Sequence, residues 1–215
     1  MHQTLYFFSF PEVSDECDFD DKYYHCSLES DFLMAKPRRR VLVIECTPKR
    51  YDRDEGSILF EFLKMTNPNL IGKTHRIRNK SELLKYLADG KVMREFDFVH
   101  LSAHGAFNIY GEPIFLLPNG YLLPTEFPDS CFRSKVVTLS VCSLCRKEFI
   151  EPLMNLTKAE YVIGPQRDVL FDDVAMWFSY FYYLVIGHRY TVWNACDRAN
   201  RHLEDIARGG FAYWH

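Results

Sequence analysis

Apolar residues fall along the chain in two patterns, short runs that are wholly or largely apolar and longer stretches at helical spacing. The runs are Arg40 to Cys46 (RVLVIEC), Phe96 to Ser102, Lys135 to Val141 and Tyr161 to Gly164. Runs of this length, rich in Val, Leu, Ile and Phe and closed by polar or small residues, read as strands buried on both faces. Thr74 to Ile77 is a shorter candidate strand. Helical spacing marks Ser57 to Met65, through Ile58, Leu59, Phe62 and Leu63, with Asp54, Glu55 and Ser57 near its start. A second helix opens at Ser81, read as its N-cap, and stops near Asp89-Gly90. Arg146 to Asn155 is helical despite Pro152. A long amphipathic helix runs from Asp172-Asp173 to Gly187, with Asp173 as candidate cap, and a last one covers Thr191 to Ala207. Strands alternating with helices predict an α/β domain with a mostly parallel sheet. Between His104 and Lys135 the glycines and prolines indicate hairpins, with IFLLPNGYLL turning at Asn119-Gly120.

Composition narrows the class. A 47% hydrophobic and 16% aromatic chain of 215 residues is globular and can fill a core. Its net charge of −3 gives no general pull toward nucleic acid or anionic membrane. No apolar stretch approaches the ~18 residues of a membrane span. The opening MHQTLYFFSFPEV has no basic region before its apolar part, and seven cysteines show no framework spacing. Both point to a cytoplasmic protein with reduced thiols. Residues 1–36 read as an acidic and aromatic arm. Lys36-Pro37-Arg38-Arg39-Arg40 marks the boundary, and 37–215 form the main domain.

Two of the buried runs stop on reactive side chains. His104-Gly105 closes the run ending at Ser102, and Cys142 closes the run ending at Val141. Ligands and chemistry collect at the carboxyl ends of strands in an open parallel sheet, so this layout sets a base beside a thiol. The following helix would favour the thiolate of Cys142, and His104 would supply acid–base assistance. The backbone N–H groups of Gly105 and Cys142 are candidates for stabilising an oxyanion.

The series VHLSAHG, a hairpin region, VVTLSVC, YVIG and FSYFYYLVIG resembles a CHAT domain, a group of caspase-like (clan CD) cysteine peptidases. The likeness spans Phe96 to Asn200. It implies a caspase-like three-layer sandwich, with a mostly parallel central sheet flanked by helices and a β-hairpin insertion. It also implies peptide-bond hydrolysis by a His104–Cys142 dyad, without cofactor or metal. The loop from Pro165 would border the pocket for the residue preceding the cut, where Gln166, Arg167 and Asp168 favour neutral, acidic and basic side chains respectively. Unlike most such domains, this chain has no glycine after the nucleophile, where it runs Cys142-Ser143-Leu144-Cys145-Arg146. A protein substrate and a regulatory partner are the implied partners, in a setting such as bacterial or antiviral defence.

Two other classes compete. One is a non-catalytic caspase-like adaptor that binds through the pocket or through the aromatic segment Ser179 to Ile186. The other is a dithiol oxidoreductase, since Cys142-x-x-Cys145 follows a strand and precedes a helix. A structural zinc site needs four ligands, and the remaining cysteines form no second pair. His100 lies within its strand and reads as a core residue.

Overall fold

The chain divides at Lys36–Pro37, and the computed structural model describes residues 39–47, 54–205 and 210–215. The N-terminal arm lies outside the described residues. The domain is built on a six-stranded sheet of β1 (Arg40–Glu45), β2 (Ile71–Arg76), β3 (Phe98–Ser102), β7 (Val136–Ser140), β8 (Tyr161–Pro165) and β9 (Phe211–Trp214). Its spatial order is β2-β1-β3-β7-β8-β9. All neighbours are parallel except β9, which runs antiparallel to β8. A separate antiparallel sheet holds β4 (His104–Phe107), β5 (Pro113–Leu117) and β6 (Gly120–Leu122).

The helices are α1 (Glu55–Thr66), α2 (Lys80–Ala88), the single turn α3 (Gly90–Met93), α4 (Lys147–Thr157), α5 (Phe171–Tyr182) and α6 (Val192–His202). They cover both faces, which is why the central strands are buried at nearly every position and mostly apolar. Successive strand residues point to opposite faces. Leu42, Ile44, Val99, Leu101, Val137 and Leu139 pack with Leu83 and Leu87 of α2 and with Phe149 and Leu153 of α4. Val41, Val43, Phe98, Val136 and Ile163 pack with Leu59 and Leu63 of α1, with Trp177, Phe178 and Phe181 of α5, and with Ala195 and Ala199 of α6. The result is helix, sheet and helix in three layers.

Several local expectations change. Asn79 rather than Ser81 caps α2, its side chain accepting from the Glu82 N–H. Asn79 sits in extended backbone one residue before the helix, which is what a cap requires, whereas Ser81 is already helical. No side chain caps α5; Asp172 and Asp173 lie in its first turn, beside the positive end of its dipole. The long aromatic helix ends as a wider π turn over Tyr183–Gly187. The predicted hairpin is β5–β6, and it gains a third strand that begins at His104. β9, which follows the last predicted helix, has no counterpart among the predicted elements.

Candidate active site

β3 and β7 lie side by side with a constant offset. Phe98 pairs with Val136, His100 with Thr138 and Ser102 with Ser140. The ladder continues one step, the Ala103 N–H donating to the Ser140 carbonyl at 3.2 Å. Continued once more, the same offset sets His104 level with Cys142. There the chain leaves the main sheet, because His104 pairs with Leu116 and Gly105 with Phe115 in the small one. A β-carbon built on Gly105 would stand 2.0 Å from the Cys142 carbonyl oxygen and 3.1 Å from Val141 Cγ1. The backbones of Gly105 and Cys142 are therefore in contact, which only a residue without a side chain permits.

A cavity of about 190 Å³ opens at this edge, lined by His104 and Cys142 together. Its walls are Ala103, Val141, Val169, Phe171 and Val174, and Thr47, Ser102, Ser140 and Glu55 add polar groups. His104 is exposed and Cys142 half-buried, so this side of the cavity meets solvent. The Cys142 thiol donates to the Val169 carbonyl at 3.6 Å.

The segment after Cys142 does not enter a helix directly, since α4 begins at Lys147. Ser143 takes a left-handed φ of 58°, a conformation most comfortable for glycine. It is held there by two bonds, its N–H to the Arg167 carbonyl at 3.1 Å and its hydroxyl to Asp168 at 2.6 Å. The Cys145 N–H donates to the Pro165 carbonyl at 3.1 Å, and Arg146 Nε to the Gln166 carbonyl at 2.7 Å. The turn after Cys142 is thus tied along its length to the loop after β8. Gln166, Arg167 and Asp168 are all exposed on that loop, and none of the three lines the cavity. The same loop contributes Val169, and Phe171 and Val174 follow at the start of α5.

Cys145 differs from Cys142 in kind. It is fully buried, its thiol donates to the Ala212 carbonyl at 3.4 Å, and burial pushes its pKa up to about 12. A thiol so placed is a poor partner in disulfide exchange.

No protein-family model matches the chain, and no curated protein matches it by sequence.

Behind the cavity lies a polar chain that the sequence reading passed over. Glu55 is the first residue of α1 and only 1% exposed. It reaches the site because Gly56 lets the helix start press onto β1; a β-carbon there would stand 2.8 Å from Val43 Cγ1. Glu55 Oε2 meets His100 Nε2 at 3.2 Å, His100 Nδ1 meets Thr138 Oγ1 at 2.8 Å, and Thr138 Oγ1 meets the Tyr182 hydroxyl at 2.8 Å. Burial pushes the Glu55 carboxyl up, but attraction to His100 and the polar groups of His100, Ser102 and Ser140 outweigh it and hold it below the ordinary carboxylate range. Burial raises the Tyr182 phenol well above its usual value. Only the glycine following Glu55 distinguished it in sequence from any acidic residue in a first helical turn.

The aromatic segment Ser179 to Ile186 is mostly core. Phe181, Tyr182, Leu184, Val185 and Ile186 are buried. Tyr180 and Tyr183 instead border an open apolar groove with Ile58, Phe62, Met176 and Leu203. Among the described residues no helix is long and apolar enough to cross a membrane.

Proposed function

We propose that this chain is a caspase-like cysteine endopeptidase of the CHAT type, acting through His104 and Cys142. The observation that carries the reading is the convergence of the two side chains on one solvent-facing cavity at the carboxyl edge of a mostly parallel sheet. The three layers and the antiparallel insertion between β3 and β7 fit the same reading. In the reaction the Cys142 thiolate attacks the carbonyl carbon of the scissile peptide bond. The N–H groups of Gly105 and Cys142 take the developing oxyanion. Collapse expels the amine, which receives a proton from His104, and leaves a thioester on Cys142. Water, giving its proton to His104, then releases the carboxylic acid product and the free thiol. The substrate is a protein, and a regulatory partner controls access to it, in a cytoplasmic setting such as a defence or regulated-death module.

Labelling with a peptide bearing a thiol-reactive electrophile tests this. Labelling is expected in the wild type and in Cys145→Ala, to be lost in Cys142→Ala, and to be slowed in His104→Ala. Equal loss from both cysteine variants favours the dithiol reading, and no labelling of the wild type removes the peptidase reading. The apolar groove beside α5 supports a second reading, an adaptor that binds a partner without cleaving it.

A further inference from the structure

Glu55 is one of the residues lining the cavity beside Cys142. Among the described residues its Oε1 has no hydrogen-bond partner, although Oε2 is held by His100. The hydroxyls of Ser102 and Ser140 stand close enough to stabilise the charge without meeting Oε1 at hydrogen-bond geometry. A buried carboxylate oxygen without a partner is uncommon and calls for an explanation.

The neighbouring polar groups are engaged with one another. Glu55 Oε2 meets His100 Nε2, His100 Nδ1 meets Thr138 Oγ1, and Thr138 Oγ1 meets the Tyr182 hydroxyl, so this chain of contacts leaves Oε1 out. A buried carboxylate oxygen left without a donor is costly, and a cationic N–H donor is its best match.

The other lining residues indicate what kind of donor fits. Ala103, Val141, Val169, Phe171 and Val174 are all apolar, and about 190 Å³ is room for one long side chain. Apolar walls with a single anion flanked by hydroxyls suit an aliphatic stem that ends in a cation. We infer that this cavity takes the side chain of the residue preceding the cut, that Glu55 in its lining selects Lys or Arg there, and that Thr47, Ser102 and Ser140 complete its polar rim. This rests on the peptidase reading and replaces Gln166, Arg167 and Asp168 as the residues that choose the substrate.

The test uses electrophilic peptides identical except at the residue next to the electrophile, which is Lys, Arg, Asp, Gln or Leu. Rates of labelling at Cys142 are read by intact mass on the full chain. Lys or Arg probes are expected to react faster than Asp or Leu probes by about tenfold or more. In Glu55→Gln that preference should collapse, while the Leu probe still labels Cys142. Faster labelling by Asp, Gln or Leu probes in the wild type overturns the assignment and leaves the peptidase reading standing. So does a basic preference that survives in Glu55→Gln. Failure of every probe to label Cys142 overturns both. If Glu55→Gln does not fold, the wild-type series alone decides.

Discussion

The carbonyl oxygen of Cys142 lies where a β-carbon on Gly105 would be, the two positions only 2.0 Å apart. This contact seats the strand carrying His104 on the turn carrying Cys142, and it involves backbone that cannot easily yield. Gly105→Ala must push β4 away from the end of β7. Overpacking of this kind costs about 1–3 kcal/mol. The expected outcome is a lower denaturation midpoint together with slower reaction of Cys142 with the peptide electrophile. Unchanged stability and unchanged reactivity would show that the two backbones are further apart than described.

Asp168 holds the turn after Cys142 through Ser143. Its carboxylate accepts the hydroxyl of a residue held at φ 58°. Asp168→Ala removes the acceptor, and we expect a loss of ~1 kcal/mol or somewhat less, since the pair is partly exposed. Preference among the electrophilic probes should stay as in the wild type while the overall labelling rate falls. A switch in preference would return Asp168 to the role assigned to it from sequence.

Within the buried chain the members are not equivalent. Tyr182→Phe removes one terminal hydroxyl and should destabilise by about 1 kcal/mol. His100→Leu removes the partner of Glu55 Oε2 and leaves a poorly compensated buried carboxylate, which costs ~3–5 kcal/mol. Urea denaturation of both variants checks the order, and equal losses would argue against the wiring drawn above.

Glu45 gives the domain a measurable pH response. It is 3% exposed, and burial pushes its carboxyl up to about 6 from an ordinary 4.5, against hydrogen bonds from Thr47 and Gly56 that pull it down. A carboxyl with a raised pKa binds its proton more tightly in the fold than in the unfolded chain. Its contribution to stability therefore falls as pH rises from about 4.5 to about 6, and is level above that. Glu45→Gln removes the slope. The stability difference between variant and wild type should move in the variant's favour across that window, on the order of 1–2 kcal/mol. Denaturation of both proteins at several pH values reads it directly, and a flat difference would contradict the assignment.

Much of this arrangement was legible in the chain itself. β1, β3, β7 and β8 announce themselves as largely apolar runs because helices cover both of their faces, and alternation fades when neither face meets water. The His-Gly pair and Cys142 were conspicuous as reactive residues at the ends of two such runs. The hairpin turn at Asn119-Gly120 follows from the backbone those two residues accept.

What the sequence by itself determined, then, is the layered α/β plan, the strands and most of the helices, and the two side chains worth suspecting. Tertiary structure alone decided that β3 and β7 are neighbours, in the register that continues to His104 and Cys142. It also decided that Gly105 is pressed against a carbonyl, that β9 closes the sheet edge, and that Glu55 is buried beside a cavity instead of facing water. The reason is physical: burial and strand propensity act within a few neighbouring positions and leave a mark on them. Register, close approach and buried polar contacts arise between segments far apart in sequence and leave no local trace.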